Sequence, residues 1–270
     1  MKLTKEQLTT YQETGMLLLP ELFSNEEVAY LKEAMTPLKK ADSPELVWEK
    51  NTQTLRALHG CHLRSPVFRR LVRQKRLLEP SRQMLNDEGY VYQFKINLKQ
   101  PFNGELWPWH QDFIFWHKKD GMPLPNALNA VLFLDDCTEF NGSMWFIPNS
   151  HHEGLLEPMV KKETGEGWKN DVGVDLTYQL DEPTIARLVE KWGIAAPKGK
   201  SGTVLFFHPN LVHASLPNIS PLGRSLLIVT YNSAQNIPVP KEQQRPWFLV
   251  NPDTTPEVCT EEPLLLTLAV

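Results

Sequence analysis

A histidine and an aspartate two residues apart are the most informative feature of the sequence. His110 and Asp112 lie in a tryptophan-rich segment, residues 107–112. On a β-strand, both side chains would point to the same face. A distant histidine, His213, would complete a set of two imidazoles and one carboxylate. Such a set holds Fe(II) on one face and leaves other coordination positions open, so the pattern predicts a non-haem iron site.

Arg224 is a second candidate binding group, because it begins an apolar run over residues 225–231. A planar guanidinium can hold a carboxylate through two parallel hydrogen bonds. Together with the iron ligands, this indicates an oxygenase that uses a carboxylate-bearing co-substrate. Plainer interpretations exist for the single residues. His110 could be a hydrogen-bonded core histidine, and Arg224 could be a surface residue at the start of a strand.

Four blocks between residues 90 and 231 resemble the phytanoyl-CoA dioxygenase family of Fe(II)/2-oxoglutarate oxygenases. The likeness is strongest to hydroxylases of small amino-acid-like metabolites, such as ectoine hydroxylase. In order along the chain, the blocks are residues 92–99, 109–117 with 120–123, 141–143 with 147–151, and 213–225. Chance is a poor explanation for four blocks in the same order.

The resemblance implies a fold, a metal and a co-substrate. It implies that His110, Asp112 and His213 bind Fe(II), and that the enzyme consumes 2-oxoglutarate and dioxygen. It also implies that Arg224 pairs with the distal carboxylate of 2-oxoglutarate and that Ser215 helps to hold the same group. The intact Asp112 favours hydroxylation, because in halogenating relatives a small residue stands there and chloride takes the vacancy.

Further site residues follow from the same resemblance. Lys99 and Asn129 match positions near the co-substrate, although Lys99 could be a solvated charge at a strand end and Asn129 a turn residue. Gln93 matches a position that faces the substrate, and Asn97 lies on the same strand face. Buried amides need hydrogen-bonding partners, which either a polar substrate or a neighbouring strand could supply. Trp116 is expected to face the pocket.

Composition excludes several other classes of protein. The chain has 270 residues, of which 41% are hydrophobic and 22% charged, as in a folded globular domain. A net charge of −4 points to neither nucleic acid nor an acidic membrane as a partner. The N-terminus has no apolar signal region, and no apolar run approaches membrane-spanning length. The cysteines Cys61, Cys137 and Cys259 indicate reduced thiols in a cytoplasmic protein.

Helix signals dominate the first third of the chain. Capping boxes at Thr4 and Ser24 predict two helices, the first ending at Gly15 and the second near Lys39. A further helix is expected after Asp181.

The pattern changes to β-structure from Tyr90 onward. Strands are predicted over residues 90–98, 129–134, 143–147, 203–207 and 225–231. Strands that carry the metal ligands, with helices before them, fit a mainly β, cupin-like jelly roll, the double-stranded β-helix.

One oxygenase domain is expected over residues 1–270. Residues 1–89 would be a mostly helical support and residues 90–235 the jelly-roll core. The core would carry an insertion or lid over residues 152–200, since long polar connections are often binding loops. Residues 236–270 would form a C-terminal extension. The insertion resembles ectoine hydroxylase least, although it is the part expected to choose the substrate.

The predicted function is a cytoplasmic Fe(II)/2-oxoglutarate-dependent hydroxylase of an unactivated carbon in a small polar metabolite, such as a free amino acid or a derivative. One alternative is a carrier-tethered or other natural-product intermediate, with hydroxylation, desaturation or cyclisation as the outcome. The second alternative is a metal-binding jelly roll without turnover. The full set of ligands together with Arg224 argues against it. The oligomeric state is left open.

Overall fold

Two antiparallel sheets, with helices on the outer face of the larger one, organise the chain. The computed structural model describes residues 1–40, 42–50, 52–162 and 167–265. The strands are β1 (Met16–Leu19), β2 (Leu46–Trp48), β3 (Leu55–His59), β4 (Gly89–Lys99), β5 (Trp107–His110), β6 (Ala127–Phe133), β7 (Met144–Phe146), β8 (Met159–Val160), β9 (Tyr178–Gln179), β10 (Val204–Phe207), β11 (His213–Ser215) and β12 (Arg224–Ser233). The α-helices are α1 (Lys5–Thr14), α2 (Asn25–Lys39), α3 (Cys61–Arg64), α4 (Pro66–Leu71), α5 (Lys75–Leu85), α6 (Asp112–Phe115) and α7 (Glu182–Trp192).

The larger sheet has the strand order β1-β10-β6-β12-β4-β3-β2, and each neighbouring pair is antiparallel. The smaller sheet has the order β5-β11-β7 and packs against it. The two sheets form the jelly roll that the strand pattern predicts. A separate hairpin joins β8 to β9.

Alternation along β12 shows where the core lies. Leu227, Val229 and Tyr231 point outward into a cluster that includes residues of α1, α2 and α5. Leu226 and Ile228 point inward, into a second cluster between the two sheets. Since successive side chains of a strand alternate between faces, both faces of the larger sheet are covered, and its strands are nearly continuous apolar runs.

The predicted helix starts and strands are confirmed. Thr4 and Ser24 make reciprocal capping boxes, and Gly15 ends α1 in the left-handed conformation with φ 78°. Asp181 caps α7 through the backbone N–H of Thr184. Strands β4, β6, β7, β10 and β12 cover the predicted strand segments to within two residues at either end. In addition, β1, β2 and β3 lie within residues 1–89, so this region supplies strands as well as helices.

The prediction that His110 and Asp112 lie on one strand is wrong. Strand β5 ends at His110, Gln111 is still extended, and Asp112 begins the short helix α6. The backbone N–H of Phe113 donates to the carbonyl of Pro209 at 3.1 Å, which fixes this change of direction. The change of direction between β5 and α6, not a shared strand face, therefore brings the carboxylate of Asp112 close to the imidazole of His110.

Among the parts of the chain that the structure describes, no helix combines the length and the apolar character that crossing a membrane requires.

Candidate active site

Strand register brings the two predicted histidine ligands together. His213, the first residue of β11, lies directly opposite His110, the last residue of β5. Their ring centroids are 4.2 Å apart. A nitrogen of each ring and a carboxylate oxygen of Asp112 all lie within 4.8 Å of one another, and all three residues are buried. Such a cluster can hold one divalent metal ion.

Backbone carbonyls orient both imidazoles. The Nδ1 of His110 lies 2.7 Å from the carbonyl oxygen of Pro108, and the Nδ1 of His213 lies 2.9 Å from that of Leu211. With Nδ1–H as the donor, the lone pair of each Nε2 is free for a metal. Each Nε2 lies within 4 Å of an oxygen of Asp112. Burial lowers the pKa of His213 to about 3, so its ring is neutral, as a metal ligand must be.

A polar chain orients the carboxylate. The side-chain amide of Asn129 donates to Asp112 Oδ2 at 2.8 Å, and the hydroxyl of Thr230 donates to Asn129 Oδ1 at 2.7 Å. Asn129 and Thr230 are cross-strand partners in β6 and β12. Burial opposes ionisation of Asp112, but the positive charge of Lys95 and the neighbouring rings of His110 and His213 more than offset it, so the pKa of Asp112 is lowered.

Arg224 lies at the start of β12, on the wall of the same cavity. It is 2% exposed, and its Nε and Nη1 have no hydrogen-bond partner among the described residues. Burial lowers its pKa to about 10, so the guanidinium is still charged at neutral pH. Unpaired donors in a buried cation are costly. The unpaired donors of Arg224 are suited to hydrogen-bond the carboxylate of a bound co-substrate.

The remaining residues predicted near the co-substrate are placed differently. Ser215 lines the cavity, and its hydroxyl donates to the carbonyl of Gly142 at 3.3 Å. Asn129 lies inside β6 and contacts Asp112 instead of forming a turn. Lys99 is 3% exposed, so it is not a solvated strand-end charge. Its ammonium donates to the carbonyl of Glu105, and burial together with Arg224 lowers its pKa to about 6.

Gly142 explains how Lys99 is accommodated. The glycine has φ 76°, and a Cβ at that position would lie 2.5 Å from Lys99 Cδ. Only a residue without a side chain permits this approach.

The roles predicted for Lys99 and Asn129 toward 2-oxoglutarate remain predictions.

The residues predicted to face the substrate line the cavity. Gln93 and Asn97 lie on the inner face of β4, with Lys95 between them. The Oδ1 of Asn97 is buried without a hydrogen bond from any described group. Trp116 forms part of the wall and packs edge-on against Tyr92, with ring centroids 5.4 Å apart.

Among the titratable residues that line the cavity, sequence reasoning missed four: His59, Lys95, Asp171 and Arg245. His59 is the cross-strand partner of Lys95. Arg245 reaches the cavity from the C-terminal region, where its Nε donates to Asp120 Oδ1 at 2.8 Å. Only the period-two alternation of β4 could have revealed Lys95. Nothing local marks the others, because their positions depend on tertiary packing.

Two side chains tie the surrounding loops to this framework. Gln111, between the two ligands, donates to the carbonyls of Gly154 and Asn210 at 2.8 and 2.7 Å. Arg56 is buried in an ion pair with Glu49 and donates to the carbonyl of Val172 at 3.1 Å. These contacts tie Gly154 and Val172, both within the predicted insertion, to the framework of the site.

Known proteins show the same combination of sequence and fold. Residues 11–226 match the family described as phytanoyl-CoA dioxygenase (PhyH). The chain is 40% identical to L-proline trans-4-hydroxylase of Streptomyces griseoviridis over 250 residues, which is 92% of each chain. It is 35% identical to an ectoine dioxygenase of Sphingopyxis alaskensis over 254 residues, 92% of this chain and 82% of that one.

A solved structure resembles the whole fold. The crystal structure of EctD from S. alaskensis with 2-oxoglutarate and 5-hydroxyectoine has a TM-score of 0.81 and 32% identity, covering 97% of this chain and 89% of that one. The same protein has been solved with bound Fe.

The fold and the cluster of two histidines and one aspartate define a non-haem iron oxygenase. The chain belongs to the phytanoyl-CoA dioxygenase family. It is a 2-oxoglutarate-dependent dioxygenase with Fe(II) as its cofactor. The family, the fold class and the cofactors predicted from the sequence are confirmed.

Proposed function

We propose that this dioxygenase hydroxylates an unactivated carbon of a small free amino acid, with L-proline as the first substrate to test. The observation that carries the proposal is the match to L-proline trans-4-hydroxylase over 92% of both chains. A match of that extent includes the insertion and part of the C-terminal region, and both regions supply residues of the cavity wall.

The site residues have separate roles in this proposal. His110, Asp112 and His213 bind Fe(II), and Arg224 holds the distal carboxylate of 2-oxoglutarate with Ser215 beside it. When bound, the iron supplies the oxidising chemistry that couples decarboxylation of 2-oxoglutarate to insertion of one oxygen atom into the substrate. The protein orients both organic molecules and excludes water.

The cavity supports a small polar substrate. Its volume is small, about 70 Å³. Gln93 and Asn97 offer amide groups, and Trp116 offers an aromatic face. The positive charge of Lys95 on the wall suits a substrate carboxylate. A fatty acyl-CoA would need a long apolar groove, which is a poor fit to this polar wall.

Ectoine hydroxylation is the second candidate. The observation that favours it is the structural likeness to EctD with bound 5-hydroxyectoine. A cyclic zwitterion of similar size would use the same polar wall. The two candidates differ in the group that bears the positive charge, an imino group in proline and an amidine in ectoine.

A substrate screen tests the proposal. Protein reconstituted anaerobically with Fe(II) is given 2-oxoglutarate, oxygen and one candidate at a time: L-proline, other free amino acids, ectoine or an N-acetylated amino acid. We expect succinate formation coupled to a product that is heavier by one oxygen atom with L-proline or another free amino acid. Coupled turnover of ectoine alone would select the second candidate, and turnover of none would contradict both.

We also infer a cytoplasmic location. Cys61, Cys137 and Cys259 are all unpaired, and the first two are buried. Unpaired thiols are typical of a reducing compartment. Cell fractionation would test this inference, and recovery of the protein from an oxidising compartment would contradict it.

A further inference from the structure

Asp171 is a buried carboxylate that the iron and co-substrate sites do not use. It ends a short 3-10 turn, Gly167–Asp171, in the predicted insertion, and it lines the cavity. Its side chain is 1% exposed. Oδ1 accepts a hydrogen bond from the hydroxyl of Thr177 at 2.9 Å. Oδ2 has no hydrogen-bond partner among the residues that the structure describes.

The nearest cation does not satisfy this oxygen. Arg245 Nη1 lies 3.6 Å from Asp171 Oδ2, beyond a hydrogen bond. The guanidinium is committed elsewhere, because its Nε and Nη2 both donate to the carboxylate of Asp120. That carboxylate also accepts a hydrogen bond from the hydroxyl of Tyr92. Buried acceptors of this kind are normally paired, so the missing donor is expected from a ligand in the cavity.

We propose that Asp171 Oδ2 accepts a hydrogen bond from the protonated amino or imino group of the substrate and thereby selects free amino acids. This inference rests on the proposed amino-acid hydroxylase function and identifies the group that recognises the amine. With Lys95 on the same wall as Asp171, the cavity presents charges of both signs, which is the pattern a zwitterion needs.

The position of Asp171 is held on both sides. Its hydroxyl partner Thr177 lies just before β9, and the carbonyl of the next residue, Val172, accepts from Arg56 Nε at 3.1 Å. Arg56 itself is fixed by a buried ion pair with Glu49. A carboxylate supported in this way is suited to recognition, because groups that position a ligand need their own partners.

The electrostatics of the site agree with a cationic ligand. Burial raises the pKa of Asp171, although Arg245, Lys119 and Thr177 each favour its ionised form. An ammonium at Oδ2 would stabilise the ionised carboxylate further. A substrate without an N–H donor would leave that charge unpaired, so it would bind weakly.

The test compares L-proline with cyclopentanecarboxylate, which has the same ring and carboxylate but no amine. Affinities are measured by anaerobic calorimetry on protein loaded with Fe(II) and 2-oxoglutarate. We expect the wild type to prefer L-proline by about 10-fold to 100-fold. In Asp171→Asn the ratio of the L-proline affinity to the cyclopentanecarboxylate affinity should fall close to one. The affinity for cyclopentanecarboxylate itself should be unchanged. The asparagine keeps the Thr177 contact because its Oδ1 still accepts.

Two further variants separate recognition from folding. Asp175→Asn removes a carboxylate from the same segment that is 53% exposed and pairs with Lys50, so it should keep the wild-type preference. Thr177→Val removes the hydrogen bond that orients Asp171 and should reduce the preference partially. Iron content and thermal unfolding are measured for all variants, so that a misfolded protein is recognised.

Each outcome separates this inference from the proposed function. If wild type forms coupled succinate with a free amino acid but Asp171→Asn keeps the full preference, Asp171 does not recognise the amine. If the variant weakens both compounds equally, Asp171 acts only by holding Arg245, and the inference is also overturned. If wild type turns over no free amino acid, the proposed function itself is wrong.

Discussion

The two ends of the cavity are built by different means. At the iron end, His110 and His213 are paired across two strands, and backbone carbonyls hold their rings. At the other end, Asp171 comes from the insertion and is held by Thr177 of the same segment, while the distant Arg56 holds the carbonyl of the neighbouring Val172. Arg245 comes from the C-terminal region and is held by the distant Asp120. Strand register therefore fixes the reactive centre, whereas side-chain contacts shape the part that would contact the substrate.

Removing the carboxylate ligand should have the largest effect. Asp112→Gly leaves two imidazoles and opens a coordination position, so we expect loss of iron and of hydroxylation by more than about 100-fold. Iron content and coupled succinate formation measure this.

Asn129→Ala is the matched control for Asp112→Gly. It keeps the ligand but removes the hydrogen bond to Asp112, together with the acceptor for Thr230, so it should cost about 10-fold to 100-fold in metal affinity or activity. Wild-type iron affinity in Asp112→Gly would show that the metal is bound elsewhere.

Loss of the predicted co-substrate anchor should be the next largest effect. Arg224→Ala removes one partner of a desolvated charge pair, which costs about 2–5 kcal/mol of 2-oxoglutarate binding. Iron binding should stay nearly intact because the guanidinium is not a ligand.

Arg224→Lys keeps the charge but loses the two-pronged geometry, so its affinity for 2-oxoglutarate should lie between those of wild type and Arg224→Ala. Titration with 2-oxoglutarate under anaerobic conditions gives all three values. Equal affinity in wild type and Arg224→Ala would make the arginine structural.

The iron end could be predicted because its signals are local. His-x-Asp, a remote histidine and an arginine at the start of an apolar run are visible in the sequence, and the capping boxes and strand alternation locate the elements that carry them. The strand assumed for Asp112 was wrong because the chain turns after His110, where the backbone N–H of Phe113 is held by the distant Pro209. The three groups nevertheless meet.

The other end could not be predicted in the same way. Arg245 belongs to a region with almost no regular structure, and its contact with Asp120 brings it to the cavity. Asp171 is the last residue of a short turn without apolar periodicity. His59 ends a strand in a region whose signals were mostly helical. Strand pairing with Lys95 places His59, Asp120 places Arg245, and Thr177 together with the Arg56 bond to Val172 places Asp171. No local pattern encodes these positions.

A smaller effect is expected from the loss of the Gln93 side-chain amide on the cavity wall. Gln93→Ala should lower kcat/KM for the amino-acid substrate. The activation free energy should rise by about 1–3 kcal/mol, the cost of a lost hydrogen bond to a charged or polar group. 2-Oxoglutarate binding should change little, because Gln93 lies away from Arg224 along β4 and β12.

The measurement for Gln93→Ala compares substrate-coupled succinate formation with uncoupled 2-oxoglutarate decay. Gln100→Ala, just beyond the end of the same strand, is the control and should affect neither. Equal loss of both activities in Gln93→Ala would place the glutamine at the co-substrate instead.

The smallest expected effect concerns a histidine behind the cavity wall and extends the comparison to stability. The rings of His110 and His213 are hydrogen-bonded through Nδ1, but neither ring nitrogen of the buried His62 has a partner within the described ranges. Its ring stacks on Phe94 with centroids 5.3 Å apart. Burial, with a contribution from Arg69, lowers the pKa of His62 to about 4.

Acid should therefore destabilise the protein through His62. The unfolded chain, with an ordinary histidine pKa of about 6.5, binds the proton more readily than the folded state. Stability is then lost as pH falls from about 6.5 toward 4, by about 1 kcal/mol near pH 5.5.

His62→Phe keeps the stacking on Phe94 and cannot be protonated. Urea unfolding at about pH 7.5 and pH 5.5 should show a smaller acid-induced loss in His62→Phe than in wild type. The same loss in both proteins would mean that His62 is not protonated on unfolding, and that the acid sensitivity arises from other groups.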